Sequence, residues 1–227
     1  MLEAVLERDD IGIHLGSEVV FAGQAWPGFV HTIEHPDGLV LVDTGMIDST
    51  PELDAEWSPT PHPLDPELVR RVAVVINTHL HFDHAGNNAL FEGVPIYVQR
   101  AHYEQALGHP AYPNETWNLP GLRYELLDGE TELFPGVELL LTPGHAPAHQ
   151  SLLLTLTSGR RVLLCGDAIL SQANIDHDNW ETQADPVEAR RSARRLIELA
   201  AEHDALMIFG HDPVQMHELT YAPGAYR

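Results

Sequence analysis

Apolar and polar positions divide the chain into short β segments separated by turn-rich stretches. Residues 11–22 alternate and are rich in Ile, Val and Phe, which predicts an early strand pair turning near Gly16 and Ser17. Trp26, Pro27, Gly28 and Phe29 then read as a loop. Val30–Ile33 and Leu39–Val42 read as strands joined by a turn at 35–38. Residues 48–66, with their Pro, Asp and Ser, read as a surface loop, and Glu67–Arg71 as a short helix. The continuous apolar run Val72–Ile76 is a buried strand, and Asn87–Phe91 reads as a helix. Pro95–Val98, Leu139–Thr142, Ser151–Thr157, Arg161–Cys165 and Ala205–Phe209 are further strands. Arg100–Leu107 is helical, and Gly108–Gly121 with its three prolines is an irregular loop or lid. The clearest helix covers 186–203, opened by Asp185 and Pro186, with Val187, Ala193, Ile197 and Ala200 or Ala201 inward.

One device recurs along this pattern. Strands ending near 43, 78, 142–145, 165–167 and 209–211 all terminate in His or Asp beside Gly or Thr. Converging strand ends are where sheet-based folds place their active sites. The pattern therefore predicts an α/β chain (in the α+β sense), with two sheets face to face, helices outside, and one chemical edge. No solenoid-length repeat is present, and residues 1–227 are expected to form a single domain.

The densest of these ends is Thr78–Asn87, where His79, His81, Asp83 and His84 fall within six positions. Imidazole plus carboxylate is a ligand set for Zn(II) and similar ions. If the chain stays extended past Val75, His79 and His81 point to one side. Asp83 and His84 follow once the chain has begun to turn at Gly86. One segment could then serve two adjacent ions.

Charge narrows the partners. Against 34 Asp and Glu stand 12 Lys and Arg, a formal net charge of −22, so a polyanionic nucleic acid would be repelled. The one cysteine, Cys165, allows no internal disulfide and reads as an inert buried thiol. Neither a signal peptide nor an apolar run long enough to span a bilayer is visible, so a cytoplasmic protein without membrane attachment is expected.

These residues resemble the metallo-β-lactamase superfamily. His79-Leu80-His81-Phe82-Asp83-His84-Ala85-Gly86 matches its signature, and Asp43, His145, Asp167 and His211 follow the expected order. Within it the chain looks most like the N-acyl-homoserine lactone (quorum-quenching) lactonases. That likeness rests on Val98-Gln99-Arg100 with Tyr103-Glu104-Gln105-Ala106-Leu107, Thr142-Pro143-Gly144-His145 with His149-Gln150-Ser151, and Ile208-Phe209-Gly210-His211-Asp212.

The resemblance implies a four-layer αβ/βα sandwich and two divalent metal ions per chain, zinc first, with Mn, Fe or Co as alternatives. It implies that His79, His81 and His145 hold one ion, that Asp83, His84 and His211 hold the other, and that Asp167 bridges them. Asp43 would orient ligands through hydrogen bonds, and His149 is read as a support rather than a ligand. The implied reaction is ring opening of a small lactone by water activated between the ions, with Asp83 as the catalytic proton carrier. Family members commonly carry a tyrosine three residues after the bridging aspartate. Here that position is Leu170, and Tyr112 and Tyr221 are the tyrosines that could replace it.

Trp26, Phe29, Phe82 and Leu170 are the candidates for a substrate pocket; core packing is the alternative for the three aromatics. The remaining histidines, His31 and His102 among them, lack ligand-type context. A homodimer paired through N-terminal loops is expected from the family. Competing functions are hydrolysis of another small lactone or ester, a glyoxalase II-like thioesterase, and a non-catalytic metal-binding sensor. Only about sixteen residues follow His211, which weakens the thioesterase reading, because that family appends a helical substrate domain there.

Overall fold

The computed structural model describes residues 11–21, 23–35, 38–46, 48–222 and 224–226. The chain begins with β1 (Ile11–Phe21), β2 (Gln24–His35), β3 (Gly38–Val42), α1 (Pro51–Trp57), the two-residue β4 (Thr60–Pro61), α2 (Pro66–Arg71) and β5 (Val72–Ile76). The ligand loop forms α3 (Phe82–Ala85) and a 3-10 turn at Asn88–Phe91, then leads to β6 (Pro95–Gln99), α4 (Arg100–Ala106), α5 (Asn114–Trp117) and β7 (Arg123–Leu127). The second half runs β8 (Thr131–Phe134), β9 (Val137–Leu141), β10 (Gln150–Thr155), β11 (Arg161–Leu164), α6 (Gln172–Asp176), α7 (Pro186–His203) and β12 (Leu206–Ile208).

These strands form two mixed sheets, a seven-stranded one ordered β4-β1-β2-β3-β5-β6-β7 and a five-stranded one ordered β12-β11-β10-β9-β8. The core lies between them. Ile13, Val40, Val42, Val74 and Ile76 from the first sheet meet Val137, Leu139, Leu152, Leu154, Val162, Leu164 and Ile208 from the second. Alternation along each strand sends the intervening residues outward. On the first sheet's outer face, Leu39, Leu41 and Val75 pack with Leu68 and Val69 of α2. On the second sheet's outer face, Leu140, Leu153 and Leu163 pack with Ala189, Ala193, Leu196 and Ala200 of α7. Helix, sheet, sheet and helix make the expected four layers.

Several local expectations are corrected. β1 does not turn at Gly16; it continues, with a bulge between Leu15 and Ser17. Glycine is needed there for close approach rather than for a turn, since a Cβ would fall 2.7 Å from Val30 Cγ2 and 3.1 Å from Gly45 Cα. The Trp26–Phe29 stretch is strand, with Trp26 opposite Val19 and Pro27 opposite Glu18. Proline is tolerated because β3 pairs only with His31–His35 of β2, so Pro27 has a ladder on one side only. Residues 48–66 include α1, capped by the Thr50 hydroxyl, which accepts from Leu53 N at 3.3 Å. A cap followed by Pro51 at the first turn is a helix start that loop-like composition concealed. The expected helix at 87–91 is the 3-10 turn. On α7 the buried stripe is Ala189, Ala193, Leu196 and Ala200, whereas Val187 in the first turn is 71% exposed and Ala201 faces solvent.

Candidate metal centre and its surroundings

The strand ends converge as their spacing predicts. Regular pairing of β5 stops at Ile76, so His79 and His81 lie beyond the strand, although the backbone at His81 is still extended (φ −66°, ψ 159°). Their rings still meet, with His79 Nε2 2.9 Å from His81 Nδ1. His145, from the turn between β9 and β10, places Nε2 3.0 Å from the same His81 nitrogen. On the other side His84 Nε2 and His211 Nε2 stand 3.2 Å apart. Asp83 Oδ2 lies 3.6 Å from His84 Nε2 and 3.7 Å from His211 Nε2. Asp167, after β11, sits between the two groups, with Oδ2 3.2 Å from His145 Nε2 and 3.1 Å from His211 Nε2, and Oδ1 3.4 Å from His84 Nε2. Gly210 makes room for this carboxylate, since a Cβ there would come within 2.4 Å of Asp167 Oδ1.

The hydrogen bonds outside this ring fix which nitrogen faces inward. Asp43 closes β3 with a left-handed backbone (φ 59°), a conformation aspartate tolerates better than most residues. Its carboxylate accepts from Thr78 N, Thr78 Oγ1 and His84 Nδ1–H, each at 2.8 Å. Because the Thr78 hydroxyl gives its proton to Asp43, it accepts from His79 Nδ1–H at 3.0 Å, which leaves the His79 Nε2 lone pair inward. His211 Nδ1–H donates to the Pro27 carbonyl at 2.8 Å. His145 Nδ1–H donates to Gln183 Oε1 at 2.8 Å, and Gln183 Nε2 donates to the Asp167 carbonyl. When neutral, all four rings thus present an unprotonated Nε2 to the centre.

Nitrogen lone pairs facing each other at 2.9–3.2 Å repel unless a cation lies among them. Ligand atoms about 2.0–2.1 Å from one tetrahedral ion fall roughly 3.3 Å apart, close to these separations. Asp167 Oδ1 is buried with no hydrogen-bond partner, an orphan that a cation would satisfy. Three ligand groups result: His79, His81 and His145; His79, His84 and Asp167; and Asp83, His84 and His211. The residues fit a pair of divalent cations.

Electrostatics divides the centre. Burial, reinforced by neighbouring imidazoles, holds His79 and His81 well below the usual histidine range, and burial also lowers His145 despite the opposing pull of Asp167. Burial acts on His84 and His211 in the same sense, but it is outweighed by Asp167 and Asp83, joined by Asp43 at His84, and both are raised. Burial would raise Asp167, but the three rings of His211, His84 and His145 hold it well below the carboxylate range.

A match to the family model described as the metallo-beta-lactamase superfamily covers residues 23–211. The chain belongs to that superfamily. Among its relatives, an N-acyl homoserine lactonase from Bacillus thuringiensis is 36% identical over 204 residues, spanning 82% of this chain and 81% of the relative. The lactonase AttM of Rhizobium radiobacter is 34% identical over 68% of this chain and 64% of its own. A solved N-acyl homoserine lactone hydrolase holding the product N-hexanoyl-L-homoserine at its catalytic metal center superposes with a TM-score of 0.84 at 30% identity, over 96% of this chain and 99% of the other.

The other residues singled out fall into distinct places. His149 lies beneath the centre, where its Nδ1 meets the Thr142 hydroxyl at 2.9 Å and its Nε2 accepts from Asp167 N at 3.3 Å. His102, which had no sequence signal, is also buried, and its Nε2 accepts from Leu80 N at 2.9 Å. Phe29 is packed in the inter-sheet core with Tyr221 at 6.4 Å, which removes it from any open pocket. Trp26 and Leu170 are half-buried, and the Leu170 carbonyl accepts from His211 N at 2.8 Å. Phe82 opens α3 and faces Trp57 of α1 at 6.5 Å, a partner the sequence reading did not single out. Tyr221 is in contact with the core cluster, whereas Tyr112 lies flat on His81 with centroids 4.8 Å apart and 14° between planes. Gln183 and the Pro27 carbonyl were also missed. Cys165 is fully buried, and burial pushes its thiol well up, as expected of an inert thiol.

Proposed function

We propose that the protein is a dinuclear metal-dependent lactonase that opens the ring of N-acyl homoserine lactones. The reading is carried by one observation: two histidine groups share Asp167 in a chain whose relatives are lactonases of that substrate class. His79, His81 and His145 would hold one ion, and Asp83, His84 and His211 the other, with Asp167 placed to serve both. Zinc is the first expectation from this His and Asp set. Bound there, two divalent cations acidify water and polarise a carbonyl oxygen at neutral pH.

The chain's own groups do the remainder. Asp83 takes the proton of the attacking water and delivers it to the departing ring oxygen. A C–O bond forms at the carbonyl carbon, the ring C–O bond breaks, and a hydroxy-acid leaves. Asp43, Thr78, Gln183 and the Pro27 carbonyl keep the rings aimed. We assign the acyl chain to the side of Phe82, which faces Trp57, with Trp26 and Leu170 as the further candidates. Among the described residues no helix is long and apolar enough to cross a membrane. A cytoplasmic setting and a homodimer complete the proposal.

The test is a panel of acyl homoserine lactones from C4 to C12, with a glutathione thioester as competitor substrate, read by mass spectrometry. Gain of one water on the lactones, lost on chelation, is the expected outcome. Turnover of the thioester alone would replace the lactonase reading with a thioesterase.

A further inference from the structure

One histidine of the centre lacks the outer hydrogen bond that the other four possess. His81 turns Nδ1 inward toward His79 and His145, and among the described residues no hydrogen bond reaches its Nε2. What it has instead is Tyr112. The two rings are stacked at 4.8 Å and 14°, while His79 and His145 meet His81 edge-on, at 82° and 89°. A ring held between one flat face and two edges has a single orientation, set by contact rather than by a proton.

Tyr112 is itself firmly placed. It is 5% exposed and packs with Leu80, Trp117 and Ala146. His102 meets it edge-on at 5.0 Å and 88°. The Asn114 amide donates to the Tyr112 carbonyl at 3.0 Å and to the Ala106 carbonyl, which ties the 107–117 segment back to α4. Trp117 is fully buried, and its carbonyl accepts from Tyr124 Oη at 2.6 Å. The proline-rich loop is clamped at both ends with its tyrosine over a ligand.

We propose that Tyr112 is the positioning residue of His81, acting through its ring face, so that this loop sets the affinity of the ion bound by His79, His81 and His145. The role rests on the reading of His81 as a ligand, and it needs no contact between the Tyr112 hydroxyl and the substrate. Outer partners of ligating histidines typically govern about 10- to 100-fold of metal affinity. A stacked ring belongs at or below the low end of that range.

The experiment is competition for Zn(II) between a chromogenic chelator and the full chain, comparing the parent with Tyr112→Phe, Tyr112→Leu and Tyr112→Ala. The parent should hold two equivalents. Tyr112→Leu should weaken one of them by about 3- to 10-fold and leave the other unchanged, while Tyr112→Phe stays within about twofold of the parent for both. If Tyr112→Ala does not fold, the leucine and phenylalanine variants still decide the matter. Equal weakening of both ions in Tyr112→Leu, no weakening at all, or a phenylalanine variant as poor as leucine would each overturn the proposal. A parent that binds no Zn(II) would overturn the ligand reading and this role with it.

Discussion

The two halves of the centre are built by different means. Around His84 and His211 the outer partners are a carboxylate and a backbone carbonyl, and Asp83 adds a second buried carboxylate beside Asp167. Around His81 and His145 they are a neutral amide and an aromatic face, and both rings are only half-buried. The first half is held by charge in a dry site, where each interaction is strong and its loss costly. The second, apart from the fully buried His79 on Thr78, is held by shape and is more open to solvent. The difference implies a division of labour: a tightly bound ion beside Asp83, and a more exchangeable one on the side next to the loop.

Removing Asp83, the proposed proton carrier, should produce the largest effect. Asp83→Asn keeps an oxygen ligand but not a base, and turnover should fall by about 10²–10⁴-fold while metal content changes far less. Parallel rate and metal measurements check this, and a near-native rate would take Asp83 out of the mechanism. Next, Asp43→Asn tolerates the left-handed backbone but removes the charge that braces His84 and Thr78. Affinity for the ion of the Asp83 half should drop by about 10- to 100-fold, with a smaller loss at the other ion, because Asp43 also braces His79 through Thr78. Gln183→Leu should weaken the opposite ion by roughly 10-fold, since only a neutral hydrogen bond to His145 is lost. Chelator competition on both variants would sharpen the contrast, and equal effects would erase it.

The smallest effect concerns a histidine outside the ligand set. His31 in β2 is buried, and burial, aided by His14 and His84, lowers its pKa to about 3. Above pH 6.5 it is neutral folded or unfolded and contributes nothing to the pH dependence. Below that, the unfolded chain takes up a proton that the folded one refuses, so stability falls as pH drops toward about 3. The slope for one such proton is about 1.4 kcal/mol per pH unit. Denaturant unfolding at pH 7, 6 and 5 should show a shallower acid loss in His31→Leu than in the parent.

The histidine-rich half of this account was legible before any coordinates. His79, His81, Asp83 and His84 are neighbours in sequence, and Asp43, His145, Asp167 and His211 each end a recognisable apolar strand beside a small residue. The outer supports were not. Gln183 lies 38 positions from His145, and Pro27 lies 184 from His211; one is a lone amide in a polar loop and the other acts only through its carbonyl. Neither leaves a pattern in the chain. Phe29 misled for the opposite reason: an aromatic beside Pro and Gly looks like loop, but Pro27 fits a strand that has one neighbour at that point. Periodicity reports which face is buried, not which long-range partner completes a ligand.

The most direct measurement is to titrate Zn(II) into metal-stripped protein while following both bound metal and ring opening of an acyl homoserine lactone. Two unlike halves acting on one substrate predict that the first equivalent binds tightly with little activity, and that the rate rises as the second, weaker equivalent fills. Full activity at one equivalent per chain would contradict the dinuclear account.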